Sequence, residues 1–132
     1  MEAAKQGQRS RPIYPLDVPL EQKIEAVASS IYGATGVDYA QDAKKDIQRL
    51  NALGLVNEPV CVAKTPLSLT DDPNKIGRPR AFTVLVRRVH AATGAGFNIA
   101  LMGDIVLMPG LPKVPAAENI KLGDDGTIAG VF

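Results

Sequence analysis

The stretch Ala81–Ile105, AFTVLVRRVHAATGAGFNIALMGDI, decides the fold. Phe82, Val84 and Val86 alternate with Thr83, Leu85 and Arg87, and that period of two predicts a strand with one face turned inward. A second strand-like run, Phe97–Met108, follows the glycines and is broken by Gly103. What the glycines do settles the class of protein. A dinucleotide-binding loop needs a third glycine at position 99, where Ile99 stands, and a helix after it. A P-loop needs a closing Gly-Lys-Ser/Thr, which is absent. Gly94 and Gly96 therefore predict a turn between two strands, where glycine supplies positive φ and close backbone approach.

Upstream, Pro19–Gly36 (PLEQKIEAVASSIYGATG) predicts a helix with Leu20, Ile24, Val27 and Ile31 on one stripe. Pro19 suits its first turn, Glu21 suits the positive end of its dipole, and Gly33 and Gly36 mark its stop. Asp38–Gly54 predicts a second helix, with Ala43, Ile47 and Leu50 inward, Asp38 as N-cap and Gly54 just past the end. The short link predicts an antiparallel helix pair. Pro59–Lys64 (PVCVAK) is a short apolar run that predicts a strand covered on both faces, with Cys61 a buried, inert thiol. Thr65–Arg80 is a long loop with three prolines and one glycine. Asn119–Phe132 predicts a small hairpin turning at Asp124–Asp125–Gly126. The expected fold is α/β: two N-terminal helices, a small mixed sheet and a C-terminal hairpin, forming one domain over residues 13–132. Residues 1–12, polar and without periodicity, are expected to be a disordered tail or a severed linker.

Composition narrows the function classes. The 132 residues are 45% hydrophobic and 22% charged, an ordinary globular balance. A net charge of +1 gives no global attraction to nucleic acid or to an anionic membrane. Three Phe, three Tyr and no Trp leave few platforms on which bases could stack. No apolar run approaches the roughly 18 residues of a membrane span. A single cysteine and an N-terminus without a secretory apolar stretch predict a cytoplasmic setting.

Candidate chemistry is local. Between Pro73 and Gly103 there are five basic residues, Lys75, Arg78, Arg80, Arg87 and Arg88, and no acid. Such a patch either faces a small anionic ligand or is solvated, with counter-charges elsewhere in the fold. His90, the sole histidine, has no second ligand at metal spacing, and no base–nucleophile pairing is visible. Tyr32 and Tyr39 are read as packing residues. No complete catalytic constellation, and no metal site, is legible.

Several phrases in order carry a resemblance: KIEAVASSIYGATGVDYAQDAKK (Lys23–Lys45), PVCVAKTPLSLTDDPNKIGRPR (Pro59–Arg80), GAGFNIALMGDI (Gly94–Ile105), MPGLPKVPAAENI (Met108–Ile120) and DGTIAGVF (Asp125–Phe132). Together they resemble the C-terminal part of formate–tetrahydrofolate ligase from about Ile13 to Phe132. The resemblance implies an ATP-dependent joining of formate to tetrahydrofolate through formyl phosphate, giving 10-formyltetrahydrofolate for one-carbon metabolism. It implies ATP and tetrahydrofolate as substrates, with Mg²⁺ expected beside ATP. It also implies that the phosphate loop and the folate-sandwiching aromatics belong to an N-terminal part, so this chain is expected to be inactive alone and bound firmly to none of these molecules. An N-terminal ligase part, or a second copy of the chain, is the expected partner.

Within the matched region Pro66 and Leu67 depart from the family pattern, and Pro66 offers no N–H to a ligand. Strand ends are the usual place for ligands in α/β sheets. The expected substrate-binding residues are therefore Lys64, Thr65 and Ser68, which follow the PVCVA strand, with Arg78 and Arg80 of the same loop; no residue is expected to be catalytic. The alternatives are a folate- or anion-binding module without chemistry, and a remnant without function.

Overall fold

The computed structural model describes residues 12–105, 110 and 113–130. The expected tail lies outside these residues except for Pro12, as do the last three residues of the Phe97–Met108 run. The observed fold is the expected α/β arrangement. A four-stranded mixed sheet is ordered β1-β3-β4-β2, with β1 Gly36–Tyr39, β2 Val60–Ala63, β3 Thr83–Ala92 and β4 Phe97–Met102. β3 and β4 pair antiparallel at the centre; β1 runs parallel to β3 on one edge and β2 parallel to β4 on the other. The glycines between β3 and β4 make the turn: Ala95 and Gly96 both donate to the Ala92 carbonyl, and Gly96 takes φ +71°.

Two helices cover one face. α1 (Leu20–Val27) lies over β2 and β1, and α2 (Gln41–Ala52) over β3. Leu20, Ile24, Ala43, Ile47 and Leu50 meet Val84, Val86, Val89, Ala100 and Met102 in one core. Gly54 sits past α2 at φ +71°, as expected of a residue that ends a helix.

Four expectations are corrected. First, α1 closes through a π turn, Ala28–Tyr32, ending at Gly33 with φ +75°. A π turn takes in an extra residue, so the inward line passes from Ile24 to Ala28 and Tyr32, and Ile31 is left exposed. Second, the helices are not a hairpin pair, because Gly36–Tyr39 between them is strand β1. Val37 and Tyr39 pair with Val84 and Val86, and that alternation takes the segment into the sheet. Third, Asp38 lies inside β1, so Ala40 precedes α2 and no side chain caps it. Fourth, Cys61 is exposed. β2 is an edge strand, and Cys61 points to the side away from the helices, between inward-facing Val60 and Val62.

A bulge in β3 between Val86 and Arg88 turns both Arg87 and Arg88 outward and returns Val89 to the core. Asp46 of α2 secures it: Arg88 donates to its carboxylate from Nε (2.7 Å) and Nη2 (3.2 Å), and Val89 N–H donates at 3.1 Å. The bond from Arg88 holds the Asp46 carboxyl below the usual carboxylate range. The C-terminal hairpin forms as expected, with β5 (Lys121–Leu122) antiparallel to β6 (Ile128–Ala129). No helix among the described residues is long and apolar enough to cross a membrane.

Candidate functional site

β2 and β4 run in the same direction, so their carboxyl ends fall at one end of the sheet. A cleft of about 480 Å³ opens there, lined by Thr65, Pro66, Asp71, Asp72, Pro73, Asn74, Arg87, Gly103, Asp104 and Ile105. The loop Thr65–Arg80 forms one wall, and the chain leaving β4 forms the other.

Side chains of the loop hold its own backbone. Ser68 is buried; its Oγ accepts the Thr70 N–H at 3.0 Å and lies 2.9 Å from the Thr70 hydroxyl. Thr70, also buried, accepts the Asp72 N–H and donates to the Asp72 carbonyl, both at 3.1 Å. The Asp72 carboxylate accepts Asn74 from backbone (2.9 Å) and side chain (3.1 Å). Asp71 reaches across to the sheet and accepts the Leu85 N–H at 3.0 Å. Leu69 N–H donates to the Gly77 carbonyl and Gly77 N–H to the Leu67 carbonyl, both at 3.0 Å. The wall is therefore a built structure although its sequence has no period.

The expected site residues separate. Thr65 lines the cleft. Lys64 turns back: its ammonium donates to the carbonyls of Thr65 (3.0 Å) and Ser68, and stands 4.8 Å from the centre of the Tyr32 ring. Burial lowers its pKa from the ordinary lysine value, against the pull of Asp71. Ser68 is committed to the loop interior. Arg78 and Arg80 are exposed and belong neither to the cleft lining nor to an ion pair among the described residues. Of the basic run, Arg87 is the residue brought to the cleft, in a 2.7 Å pair with Asp104. Arg87 and Arg88 thus find their counter-charges in Asp104 and Asp46, both outside the acid-free span.

The lining carries three carboxylates, Asp71, Asp72 and Asp104, to the single guanidinium of Arg87. Such a wall supplies acceptors for N–H groups and one bidentate donor, rather than a phosphate cradle. Among the described residues no cluster of three His, Cys, Asp or Glu could hold a metal. Sequence reading missed Asp71, Asp72, Asn74, Arg87 and Asp104 as a group. The signal the sequence offers is the Asp-Asp-Pro-Asn run shortly after a strand end.

The family model described as formate–tetrahydrofolate ligase matches residues 1–132, the whole chain. The chain belongs to that family. The resemblance read from the motifs is borne out, and the match also takes in residues 1–12. A curated formate–tetrahydrofolate ligase from Symbiobacterium thermophilum is 47% identical over all 132 residues. The chain spans only 24% of the length of that relative. The cleft and its loop therefore belong to the C-terminal part of the family's sequence.

Proposed function

We propose that this chain is the C-terminal portion of an ATP-dependent formate–tetrahydrofolate ligase and supplies one wall of a substrate cleft whose phosphate-handling parts lie in the preceding portion. The match of the entire chain to a quarter of a ligase carries this reading. Phosphoryl transfer needs backbone cradling, a lysine and Mg²⁺ around the transferred group. Here the strand-end loop offers acceptors and Arg87 instead, and among the described residues no cluster of three His, Cys, Asp or Glu forms a metal cage of its own. The metal would come with ATP and be held elsewhere. A wall of carboxylates suits N–H-bearing edges, such as those of a purine or a pterin, better than it suits phosphate. The cytoplasm, where one-carbon metabolism has its tetrahydrofolate pool, is the matching setting.

The purified chain, given formate, ATP and tetrahydrofolate, is expected to form no 10-formyltetrahydrofolate above background, and turnover would overturn the reading. In an NMR titration with ATP and with tetrahydrofolate, the amides of Thr65, Asp72, Asn74 and Gly103 are expected to shift at roughly millimolar ligand, about 4 kcal/mol of binding. If Lys64–Arg80 and Gly103 stay unshifted at several millimolar, the loop has no binding role.

A further inference from the structure

We infer that the C-terminal hairpin is a docking element whose apolar pair, Leu122 and Ile128, seats against the ligase portion that precedes this chain; the inference rests on reading the chain as one part of that enzyme. Leu122 and Ile128 are direct cross-strand partners and therefore share one side of the hairpin. They are 75% and 65% exposed, and Val114 and Ile120 are exposed as well. Among the described residues, none of the buried core comes from this segment.

The hairpin is nonetheless closely specified. The Asp125 carboxylate accepts the Thr127 N–H at 3.0 Å and also its hydroxyl. Gly123 N–H donates to the Thr127 carbonyl at 2.8 Å, and Gly126 takes φ +82°. Gly130, at φ +78°, lets the Asn119 carbonyl approach where any Cβ would collide. Two-residue strands are marginal in water without a surface to lie on. A shape fixed this carefully, with its apolar pair outward, calls for a cover that the described domain does not supply.

The occupant follows from size and connectivity. A stable dimer interface takes roughly 20–30 residues a side, far more than four apolar side chains offer. A covalently joined neighbour needs much less, because a tether raises its effective concentration to about millimolar. The chain is 24% of the ligase it matches, which leaves about three quarters of that enzyme to provide the surface.

The test compares amide hydrogen exchange in the 132-residue chain and in a chimera where this chain replaces the matched region of the S. thermophilum ligase. The Gly123 amide is expected to exchange at least tenfold more slowly in the chimera. Leu122→Ser with Ile128→Ser should return it to the rate seen in the shorter chain. In the 132-residue chain itself the double variant should leave denaturant stability unchanged. Equal exchange in the two proteins overturns the inference, and so does a loss of stability in the short chain, which would mean the pair packs internally. Slowing that grows with concentration in the short chain also overturns it, in favour of a second copy. Slowed exchange in a chimera that makes no product supports the docking and counts only against the functional reading.

Discussion

Gly103→Ala is expected to destabilise the domain by about 3 kcal/mol or more. Gly103 ends β4 at φ +70°, a backbone state that costs a residue with a Cβ about 1–2 kcal/mol. Steric contact adds to this. A Cβ at Gly103 would lie 2.5 Å from the Asp71 carbonyl oxygen, which is backbone and has no rotamer into which to retreat. The Asp71–Asp72 wall would have to move, straining the bond from Leu85 N–H to the Asp71 carboxylate. Gly33→Ala is the control: φ is +75°, but nothing lies within 4 Å of the added atom. Urea denaturation of both variants isolates the contact, and the Leu85 and Asp71 amides should shift only in Gly103→Ala. Equal losses at the two positions would show that the close approach contributes nothing. Since Gly103 also lines the cleft, the variant should weaken any ligand response of the Thr65–Asn74 amides beyond its effect on folding.

The sheet's central hairpin was legible because two signals agreed, alternation in Phe82–Val86 and glycines where the chain must turn. The helices were legible from Leu20, Ile24, Ala43, Ile47 and Leu50, all of which are buried. Misses arose where tertiary geometry overrides a local rule. Ile31 fits a 3.6-residue stripe, but a π turn moves Ala28 and Tyr32 into its place. Gly36–Tyr39 is too short to announce itself and becomes a strand only because β3 is there to pair with it. Cys61 sits in an apolar run, yet a run at a sheet edge has one open side. The cleft was hardest to read. The Asp71–Asp72 pair, Arg87 and Asp104 are far apart in sequence and meet through the bulge in β3 and the loop's internal bonds. Lys64 and Ser68 follow the strand, and their side chains bond the loop's own backbone.

Lys23 is the other position where a single change should be costly, and nothing in LEQKIEAV sets it apart from a surface lysine. It is wholly buried, a rare state for lysine without partners. Its ammonium donates to the carbonyls of Val56 at 2.6 Å and Glu58 at 3.1 Å, tying α1 to the turn that leads into β2. Charge-assisted bonds of this kind are worth about 1.5–3 kcal/mol each, and carbonyls stripped of their donor add a desolvation cost. Lys23→Met keeps most of the stem volume and should lose about 2–3 kcal/mol. Lys23→Ala also leaves a cavity and should lose about 4 kcal/mol. Burial lowers the Lys23 pKa from 10.5, opposed by the charges of Asp17 and Glu58. The folded chain therefore binds this proton less tightly than the unfolded chain. Between the lowered value and 10.5 the unfolded state holds more protons, so the contribution of Lys23 to stability rises with pH there. The stability gap between wild type and Lys23→Met should widen as pH is raised toward 10.5. Tyr39, half-buried and pushed well above its ordinary 10.0, acts oppositely above that value and is common to both proteins, so it cancels in the difference. Guanidinium denaturation across this range decides the matter: a Lys23→Met chain as stable as wild type would show that the ammonium does not hold α1 to the turn before β2, and a gap that narrows with rising pH would show that its bonds outweigh the cost of burying it.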